Sequence, residues 1–426
     1  MSYTSFRRHS RWYERVWFSE IFQLLVGGVF VVLLPAWWEW GFGELSWSTL
    51  TDAQLNTLTV TLFAFVIAFV STRRIQQYPG AQTLGYLLTT PVLVWGCGLL
   101  LLSFLRGDYS RQVLLASLVL NILWVVSSYF AGRRFRIPKF GVVPFGRVSQ
   151  ILKQKNARVY KLAEPQLNGQ RYDAVVADFR ADDMPADWER FLARCTLAGV
   201  PVFHYKQLVE SLTGRVQIDH LSENIFGTLQ PSGLYLGFKR VVDFIMVFLL
   251  LPFLIPLLLI TAIVIKLDSE GSVFYTQQRM GYRGRSFKMY KFRSMYSDME
   301  GRGFTEGSED PRITRVGAVI RKYRIDELPQ VLNVLKGDMS FIGPRPESME
   351  LSNWYEKDVP FFSYRHVVRP GLSGWAQVEQ GYAAEVDGMT RKLQYDFYYI
   401  KNFSIWLDIL IVLKTIRTVL TGFGAR

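Results

Sequence analysis

The chain has 426 residues, too many for one ordinary hydrophobic core, so two or more domains are expected. Half of the residues are hydrophobic and the mean hydropathy is +0.12, which is high for a soluble protein and low for one embedded entirely in a membrane. The formal net charge of +13 suits an anionic membrane surface or phosphorylated substrates, and because the chain also has long apolar segments we expect no nucleic acid as a partner.

Four apolar segments in the first third of the chain predict transmembrane helices. Each is close to the roughly 20 residues that an α-helix needs to cross a bilayer. No small-residue cleavage site follows the first segment, so we expect it to stay in the mature protein as a span. The sequence therefore predicts a four-helix transmembrane bundle within residues 1–136, with spans at about 21–38, 55–71, 84–105 and 112–131.

Arginines in the short loops predict the orientation of these spans. They precede the first span and follow the second and the fourth, and such basic ends face the cytoplasm. The loop between the first and second spans carries Glu39, Glu44 and Asp52 without lysine or arginine, as an outside loop should. Both termini, and all residues after 136, are then expected on the cytoplasmic side. The arginines are Arg7, Arg8, Arg11, Arg15, Arg73, Arg74, Arg133, Arg134 and Arg136.

Residues 137–230 show the alternation of a small α/β domain. Short apolar runs at Tyr172–Phe179 and Gly199–Tyr205 alternate with a helical pattern at Ala186–Leu197. This order predicts a Rossmann-like cytoplasmic domain. Gly146 lies near the first strand, but the glycine fingerprint of a dinucleotide site is missing. We interpret the domain as structural or regulatory, with a regulatory nucleotide site as the alternative.

A fifth apolar segment, residues 238–266, is interrupted by Pro252 and Pro256. Each proline removes a backbone donor, which predicts a bend near mid-depth in the membrane. A helix that bends back keeps both ends cytoplasmic, whereas a kinked span, the alternative, places the basic region from 267 onward outside. We therefore predict a re-entrant membrane helix over 238–266 at the start of a C-terminal α/β catalytic domain, residues 231–426.

Two adjacent carboxylates, Asp326 and Glu327, stand where a helix is predicted to begin. Apolar residues recur at helical spacing after them, and Pro329 is tolerated only near a helix start. This places Asp326 at or next to the N-cap and Glu327 in the first turn, where free backbone donors favour anions. An ionised Asp facing a phosphate suits phosphoryl transfer through a covalent aspartyl intermediate. Plain helix capping is the alternative for the pair alone.

Basic residues on a predicted strand and on stiff turns surround this pair. Strand alternation over 287–295 puts Lys291 and Arg293 on one face. Arg345 and Arg369 lie in proline-containing turns that limit their movement. Arginine forks on rigid turns suit phosphate clamping, although each one alone also suits a solvated or headgroup position. The candidate substrate-binding residues are Lys291, Arg293, Arg321, Arg345 and Arg369.

The chain from Lys239 to Gly422 resembles the monotopic phosphoglycosyl transferase family of bacterial sugar transferases. Together with the four preceding spans and the Rossmann-like domain, it is similar to the large members that start exopolysaccharide or O-antigen repeat synthesis. The matching strings are KRVVDF, VFYTQQRMGYRGRSFKMYKFRSM, DPRITRVGAVIRK, RIDELPQVLNVLKGDMSFIGPRPE and VRPGLSGWAQV.

The resemblance implies a role for each matching residue. Asp326 matches the nucleophile that attacks the β-phosphate of a UDP-sugar and expels UMP. Glu327 matches its acidic partner, and the two are the expected ligands of Mg²⁺. Arg321 and Arg345 match basic residues near the phosphates, and Lys291 lies in the matching basic strand.

The resemblance also implies the partners and the location. Undecaprenyl phosphate is the expected acceptor, glucose or galactose the expected hexose, and a homodimer the expected assembly, with the catalytic domain on the cytoplasmic face of the bacterial inner membrane among its lipids. One departure weakens the predicted bend, because Ile255 precedes Pro256 where the family commonly has serine. Isoleucine cannot satisfy a freed backbone carbonyl.

Two other functions fit parts of the same sequence. A glycosyltransferase would pass only the sugar and release UDP. A membrane scaffold or sensor in a polysaccharide assembly complex would use the basic domain to bind acidic lipid. Aromatic and apolar residues over 406–420 also fit either a helix at the headgroup boundary or an ordinary core helix.

Overall fold

The computed structural model describes residues 16, 17, 19–41, 50–81, 84–131, 138–152, 157–170, 172–217, 231–296, 310–380 and 386–421. The chain forms two compact units, Met1–Gly214 and Arg215–Arg426. The start of the second unit is tied into it, since the Val216 N–H donates to the Gln394 carbonyl at 2.9 Å. The predicted boundary between residues 230 and 231 adjoins residues 218–230, which lie outside the described residues.

The first unit begins with four helices that are long and apolar enough to cross a membrane, as predicted. The first contains a π-helical stretch, Val29–Leu33. Thr51 and Gln54 form a capping box that starts the second helix. Most of the arginines that predict the orientation lie outside the described residues, so the orientation stays a prediction. The helices are α1 (Glu20–Trp40), α2 (Asp52–Ile75), α3 (Leu84–Phe104) and α4 (Arg111–Ala131).

A four-stranded parallel sheet follows in the first unit, which confirms the predicted α/β order. Its strands lie in the order β2-β1-β3-β4, and the predicted helix Ala186–Leu197 has the bounds that the pattern indicated. The elements are β1 (Lys139–Val142), α5 (Ser149–Leu152), β2 (Arg158–Lys161), β3 (Ala174–Ala177), α6 (Ala186–Leu197), β4 (Val202–His204) and α7 (Tyr205–Thr213).

The carboxyl edge of β1 and β3 is where such sheets bind ligands. Here the buried Asp178 carboxylate occupies it, accepting from the N–H groups of Arg147 at 2.9 Å and Arg180 at 3.1 Å. Gly146 has φ +70°, and a Cβ atom there would lie 2.6 Å from an Asp178 oxygen. A fixed carboxylate disfavours nucleotide phosphates, which supports the structural interpretation of this domain.

The second unit begins with a 36-residue helix, α8 (Gly233–Asp268), that continues through both prolines. Near its start Val247 packs with Phe287 and Met289, and near its end Ile265 packs with Phe292 and Ile320. The remaining faces expose large apolar side chains. One side of the helix therefore packs along the rest of the second unit, while the other sides suit lipid. That both ends of this helix lie at the same face of the membrane stays a prediction.

Polar residues attach both ends of α8 to the same unit. Arg240 donates to the carbonyls of Val334 and Leu335 near its beginning, and Arg293 donates to the carbonyls of Ser269 and Glu270 just after its end. Arg240 thereby satisfies carbonyls in the last turn of the helix Val331–Lys336, which otherwise lack partners, and Arg293 holds the backbone just after α8.

The rest of the second unit is a hairpin, a small parallel sheet and several helices. The hairpin strands β5 and β6 are antiparallel, and β7 pairs with β8 in parallel. The elements are β5 (Phe274–Met280), β6 (Ser286–Phe292), α9 (Arg315–Lys322), a 3-10 helix (Ile325–Gln330), α10 (Val331–Lys336), β7 (Ser340–Ile342), α11 (Met349–Asp358), a 3-10 helix (Phe362–Val367), β8 (Gly371–Ser373), α12 (Trp375–Glu379), α13 (Val386–Lys401) and α14 (Ile405–Thr421).

The last helix, α14, uses one face as part of the core. Leu407, Leu410 and Ile411 are completely buried, and Val412 and Ile416 are exposed on other sides. The core-helix alternative is therefore confirmed for the buried face.

Candidate active site

The acidic pair lies in a 3-10 turn between two helices. Thr314 caps α9 by accepting from the Gly317 N–H at 2.8 Å, and the chain reverses after this helix at Arg324, which has φ +55°. Asp326 and Glu327 then fall in the first turn of the 3-10 helix. The prediction that Asp326 lies at or next to the N-cap is wrong, because the N-cap is the left-handed Arg324, two residues earlier. The prediction that Glu327 lies in the first turn is confirmed.

Three basic side chains surround the Glu327 carboxylate. Its Oε1 atom accepts from Lys291 Nζ at 3.1 Å and from Arg345 Nη2 at 2.7 Å, and its Oε2 atom lies 3.6 Å from Arg324 Nη1. Burial alone would raise the pKa of Glu327, but Arg345 and Lys291 outweigh burial and hold this pKa well below its ordinary value. Glu327 is therefore a fixed, ionised carboxylate.

The neighbouring Asp326 carboxylate is in a different state. Within the described ranges it makes no hydrogen bond and no ion pair, and it is half-buried. Burial raises the pKa of Asp326 and the charge of Glu327 raises it further, while Lys291, Arg345 and Arg321 act in the opposite direction. Asp326 is thus available to a substrate, and nearby cations favour its ionised form.

Asn333 attaches the acidic turn to the strand that carries Lys291. Its side chain, completely buried on α10, accepts from the Tyr290 N–H at 3.1 Å and donates to the Lys288 carbonyl at 2.8 Å. Both bonds are to the backbone of β6 next to Lys291. These two bonds therefore fix the position of α10, the helix that follows Asp326 and Glu327, relative to the strand that carries Lys291.

Arg345 lies in the turn Gly343–Glu347, which follows β7. This turn runs so close to residue 371 that a Cβ atom on Gly343 would lie 2.3 Å from the Arg369 carbonyl oxygen. Two glycines, Gly343 and Gly371, permit this approach, and the Gly371 N–H donates to the Pro344 carbonyl at 3.0 Å. The close packing therefore fixes the backbone position from which the Arg345 side chain extends.

The structure brings some predicted residues to the acidic pair and leaves others elsewhere. Lys291 and Arg345 bind Glu327, and Arg321 acts on Asp326 through its charge. Arg293 binds carbonyls after α8, and Arg369 donates to the Gly337 carbonyl at 3.0 Å. Neither of these two is in contact with the pair, and their binding of substrate stays a prediction.

Two basic residues near the pair were missed by the sequence analysis. Arg324 is next to the motif, but its positive φ and its contact with Glu327 have no signature in the sequence. Arg279, in β5, donates to the Pro346 carbonyl at 3.2 Å, and the Glu327 charge acts on it. Five basic side chains, Arg279, Lys291, Arg321, Arg324 and Arg345, thus act on two carboxylates, an excess that suits an anionic substrate.

Comparisons with known proteins identify the family of the chain. A family model described as bacterial sugar transferase matches residues 234–422. A protein of Aeromonas hydrophila named UDP-N-acetylgalactosamine-undecaprenyl-phosphate N-acetylgalactosaminephosphotransferase is 51% identical over 429 residues, which cover 100% of both chains.

Two further relatives match only part of the chain. A UDP-glucose:undecaprenyl-phosphate glucose-1-phosphate transferase of Xanthomonas campestris pv. campestris is 41% identical over 198 residues, 46% of this chain and 41% of the relative. A protein of the same name from Escherichia coli K12 is 38% identical over 189 residues, 43% of this chain and 40% of the relative.

The range matched by the family model contains every residue placed around Glu327 above, from Arg279 to Arg345. The Aeromonas relative extends the similarity over the four apolar helices and the parallel sheet. On this evidence the chain belongs to the bacterial sugar transferase family and is an enzyme of the phosphoglycosyl transferase class.

Proposed function

We propose that this enzyme transfers a sugar-1-phosphate from a UDP-sugar to undecaprenyl phosphate through a covalent intermediate on Asp326. The observation that carries the proposal is the difference between the two carboxylates. Glu327 is held by Lys291 and Arg345, whereas Asp326 has no such partner in the part of the chain that the structure describes. A half-buried carboxylate beside cations, yet not bound by them, is suited to attack phosphorus.

The proposed reaction has two displacements at the β-phosphorus. An Asp326 oxygen attacks this atom, the bond to the oxygen bridging the two phosphates breaks, and UMP leaves with that oxygen. A phosphate oxygen of undecaprenyl phosphate then attacks the same phosphorus and releases the Asp326 carboxylate, giving a diphosphate-linked sugar. The surrounding cations stabilise the negative charge that spreads over the phosphoryl oxygens in both steps.

Magnesium is the cofactor that we propose for this site. The donor set fits the ion in kind, because Asp326 and Glu327 supply carboxylate oxygens and the substrate would supply phosphate oxygens. Among the described residues there is no group of three acidic, histidine or cysteine side chains that could hold a metal ion. The ion would therefore bind together with the substrate, where it would neutralise phosphate charge.

We propose UDP-N-acetylgalactosamine as the sugar donor, in place of the UDP-glucose or UDP-galactose suggested by family resemblance alone. The support is the Aeromonas relative, which bears that donor in its name and aligns over the whole chain. The relatives named for glucose align over less than half of it. The product would start the repeat unit of an exopolysaccharide, a capsule or an O-antigen.

We propose that α8 is re-entrant and that the second unit lies on the cytoplasmic face of the inner membrane. The support is that residues of one folded unit bind both ends of this helix, through Arg240 and Arg293. A soluble domain cannot hold both ends of a spanning helix from one side of the bilayer. A homodimer stays our proposed assembly, which the mass of the enzyme in nanodiscs would test.

The experiment uses purified enzyme with undecaprenyl phosphate, Mg²⁺ and a panel of four donors, UDP-N-acetylgalactosamine, UDP-N-acetylglucosamine, UDP-glucose and UDP-galactose. We expect release of UMP, most rapidly with the first donor. Without acceptor, mass spectrometry should find one phosphosugar on the peptide containing Asp326, and Asp326→Asn should abolish both signals. Release of UDP would instead support a glycosyltransferase, and unchanged product with Asp326→Asn would support the scaffold or sensor alternative.

A further inference from the structure

Four consecutive carbonyls of the turn that carries Arg345 accept a hydrogen bond from another part of the chain. They belong to residues 344–347, and the four donors come from three elements: β8, the 3-10 helix Phe362–Val367 and β5, which supplies two. All residues of this turn except Arg345 are buried, and a buried carbonyl needs a protein partner because water does not reach it. The residue 344 carbonyl accepts from Gly371 N at 3.0 Å, and the residue 345 carbonyl from Arg365 Nη2 at 2.9 Å. The residue 346 carbonyl accepts from Arg279 Nη1 at 3.2 Å, and the residue 347 carbonyl from Met280 N at 3.1 Å.

Arg365 donates to this turn from a buried side chain, which is 1% exposed. Its Nε and Nη2 atoms lie 3.1 and 2.8 Å from the same oxygen of Asp396, and Nη2 also donates to the Arg345 carbonyl. The guanidinium is planar, so holding Asp396 on one edge fixes the direction in which it meets residue 345.

A second buried ion pair lies beside Arg365. Lys392 donates to Glu347, the last residue of the turn, at 2.5 Å, and Arg365 Nη1 lies 3.6 Å from the same oxygen. Lys392 and Asp396 are one helical turn apart on α13, so the helix sets their spacing. Two positive and two negative side chains, Arg365, Lys392, Glu347 and Asp396, form a neutral buried cluster under the turn, which we call the charge quartet.

The charge quartet is a costly way to stabilise a fold. Burying four charges loses their hydration, and apolar side chains of similar volume often stabilise a core as well or better. The advantage of charged side chains is that their hydrogen-bonded ion pairs fix the orientation of each group. Above the quartet, Arg345 is 32% exposed at its side chain and meets Glu327 at 2.7 Å, so a small shift of its backbone would remove this contact.

We propose that Arg365, held by the charge quartet, is a positioning residue for the transfer reaction, because it fixes the carbonyl of Arg345 and thereby keeps the Arg345 guanidinium on Glu327. The inference rests on the proposed function, in which Asp326 and Glu327 are the reacting centre. Arg365 itself acts only through Arg345 and touches no substrate.

The test is a double-mutant cycle on the full-length enzyme, with UMP release as the measured reaction. Arg365→Lys keeps the charge but replaces the planar fork with one rotatable ammonium group, which does not fix the direction between Asp396 and the Arg345 carbonyl. We expect kcat to fall by at least about tenfold, the scale of misplaced catalytic groups, with KM changed by less than about threefold. In an Arg345→Met background, Arg365→Lys should lower kcat no further. Losses that multiply in the double variant would overturn the proposal.

A control separates positioning from folding. Lys414 and Glu379 form a part-buried ion pair of the second unit, and the combined change Lys414→Met with Glu379→Gln should lower Tm while leaving kcat unchanged. If Arg365→Lys does not fold, Asp396→Asn serves instead. The asparagine side chain has the same shape as aspartate, but without the charge it binds Arg365 more weakly. Wild-type kcat in that variant would refute the inference, whereas a wild-type enzyme that releases no UMP would refute the proposed function.

Discussion

Asp326 and Glu327 are adjacent in the chain, but their pKa values shift in opposite directions. Arg345 and Lys291 bind Glu327 directly and lower its pKa, so its charge raises the pKa of Asp326. Two carboxylates this close divide their roles in this way when only one of them is bound by cations. Asp326 is therefore the group whose protonation should limit the reaction.

The first prediction concerns the pH dependence of UMP release. Asp326 must be ionised to attack, so kcat falls as the pH drops through its folded pKa, which is raised above the ordinary value of 3.8. Arg321→Met removes a charge that lowers this pKa and should move the acid limb of the profile to higher pH. The measurement is kcat against pH for both enzymes, and a limb that does not move, or moves downward, contradicts the assignment.

His366 supplies the control for this profile. Burial lowers the pKa of His366 to about 3, and burial also lowers the pKa of His204. Replacing His366 by Gln should therefore leave the position of the acid limb unchanged, which makes this variant the control.

The second prediction concerns stability in acid. Burial alone would raise the pKa of Glu347, but Lys392 and Arg365 bring it from 4.5 to about 2. The stabilisation is complete above pH 4.5 and is lost as the pH falls toward 2; it is on the order of 3 kcal/mol. Glu347→Gln should lower Tm at pH 7 and lower it progressively less in acid. A Tm difference that stays constant from pH 7 to pH 3 would contradict this.

At the scale of elements, the acidic turn depends on how α10 meets β6. Asn333 makes this contact with two bonds to the strand backbone, so a side chain that takes no part in chemistry determines where Lys291 stands relative to Glu327. The other contacts between helix and strand are apolar, apart from one exposed hydrogen bond from Lys336 to the Tyr290 hydroxyl, and apolar contacts tolerate sliding more than hydrogen bonds do.

The third prediction is that Asn333→Ala lowers both stability and rate. Two part-buried backbone groups of β6 lose their partner, which costs at most about 1–3 kcal/mol per unsatisfied group. We expect a lower Tm and a several-fold lower kcat, because Lys291 is then no longer held in position beside Glu327. Asn402→Ala removes a bond to the Tyr398 carbonyl at the end of α13 and is the matched control. Equal kcat values for the two variants would show that Asn333 does not hold the site.

The fourth prediction concerns the membrane helix α8. If both of its ends are cytoplasmic, a cysteine at Glu270, an exposed position just after the helix, reacts with a membrane-impermeant maleimide only from the cytoplasmic side. The measurement uses inverted and right-side-out vesicles, with Cys97 and Cys195 first replaced by serine. Labelling of Glu270→Cys from the periplasmic side would mean that α8 is an ordinary span.

At the scale of the whole molecule, the chain divides into two units, and all residues placed around the acidic pair lie in the second. The first unit supplies four helices of membrane-spanning length and a parallel sheet whose ligand edge is occupied by Asp178. Family members named for glucose are similar to less than half of the chain. The chemistry is therefore expected to need the second unit alone.

The fifth prediction follows from this division. Residues 215–426, expressed with detergent or nanodiscs, should release UMP at a rate comparable to that of the full chain, since no side chain from the first unit is needed in the proposed reaction. The control is the same fragment with Asp326→Asn. An inactive fragment that is nevertheless folded, as judged by a cooperative thermal transition, would show that the first unit contributes to catalysis.

The sequence by itself determined the parts that depend on local pattern. The four apolar helices follow from length and hydropathy, the parallel sheet and the helix Ala186–Leu197 from periodicity, and the acidic pair with Lys291 and Arg345 from residue types and family motifs. Each of these signals lies within a short stretch of chain.

Tertiary structure alone decided which carboxylate is held and which is available. Arg293 and Arg369 lie in matching motifs as Lys291 and Arg345 do, yet they bind backbone carbonyls just after helix ends. Arg324, by contrast, reaches Glu327 through a left-handed backbone. Arg365 is linked to Arg345 by a fold that joins residues 20 positions apart. The physical reason is that a side chain's partner depends on the direction of its backbone and on the packing of distant elements, and neither is written in local sequence.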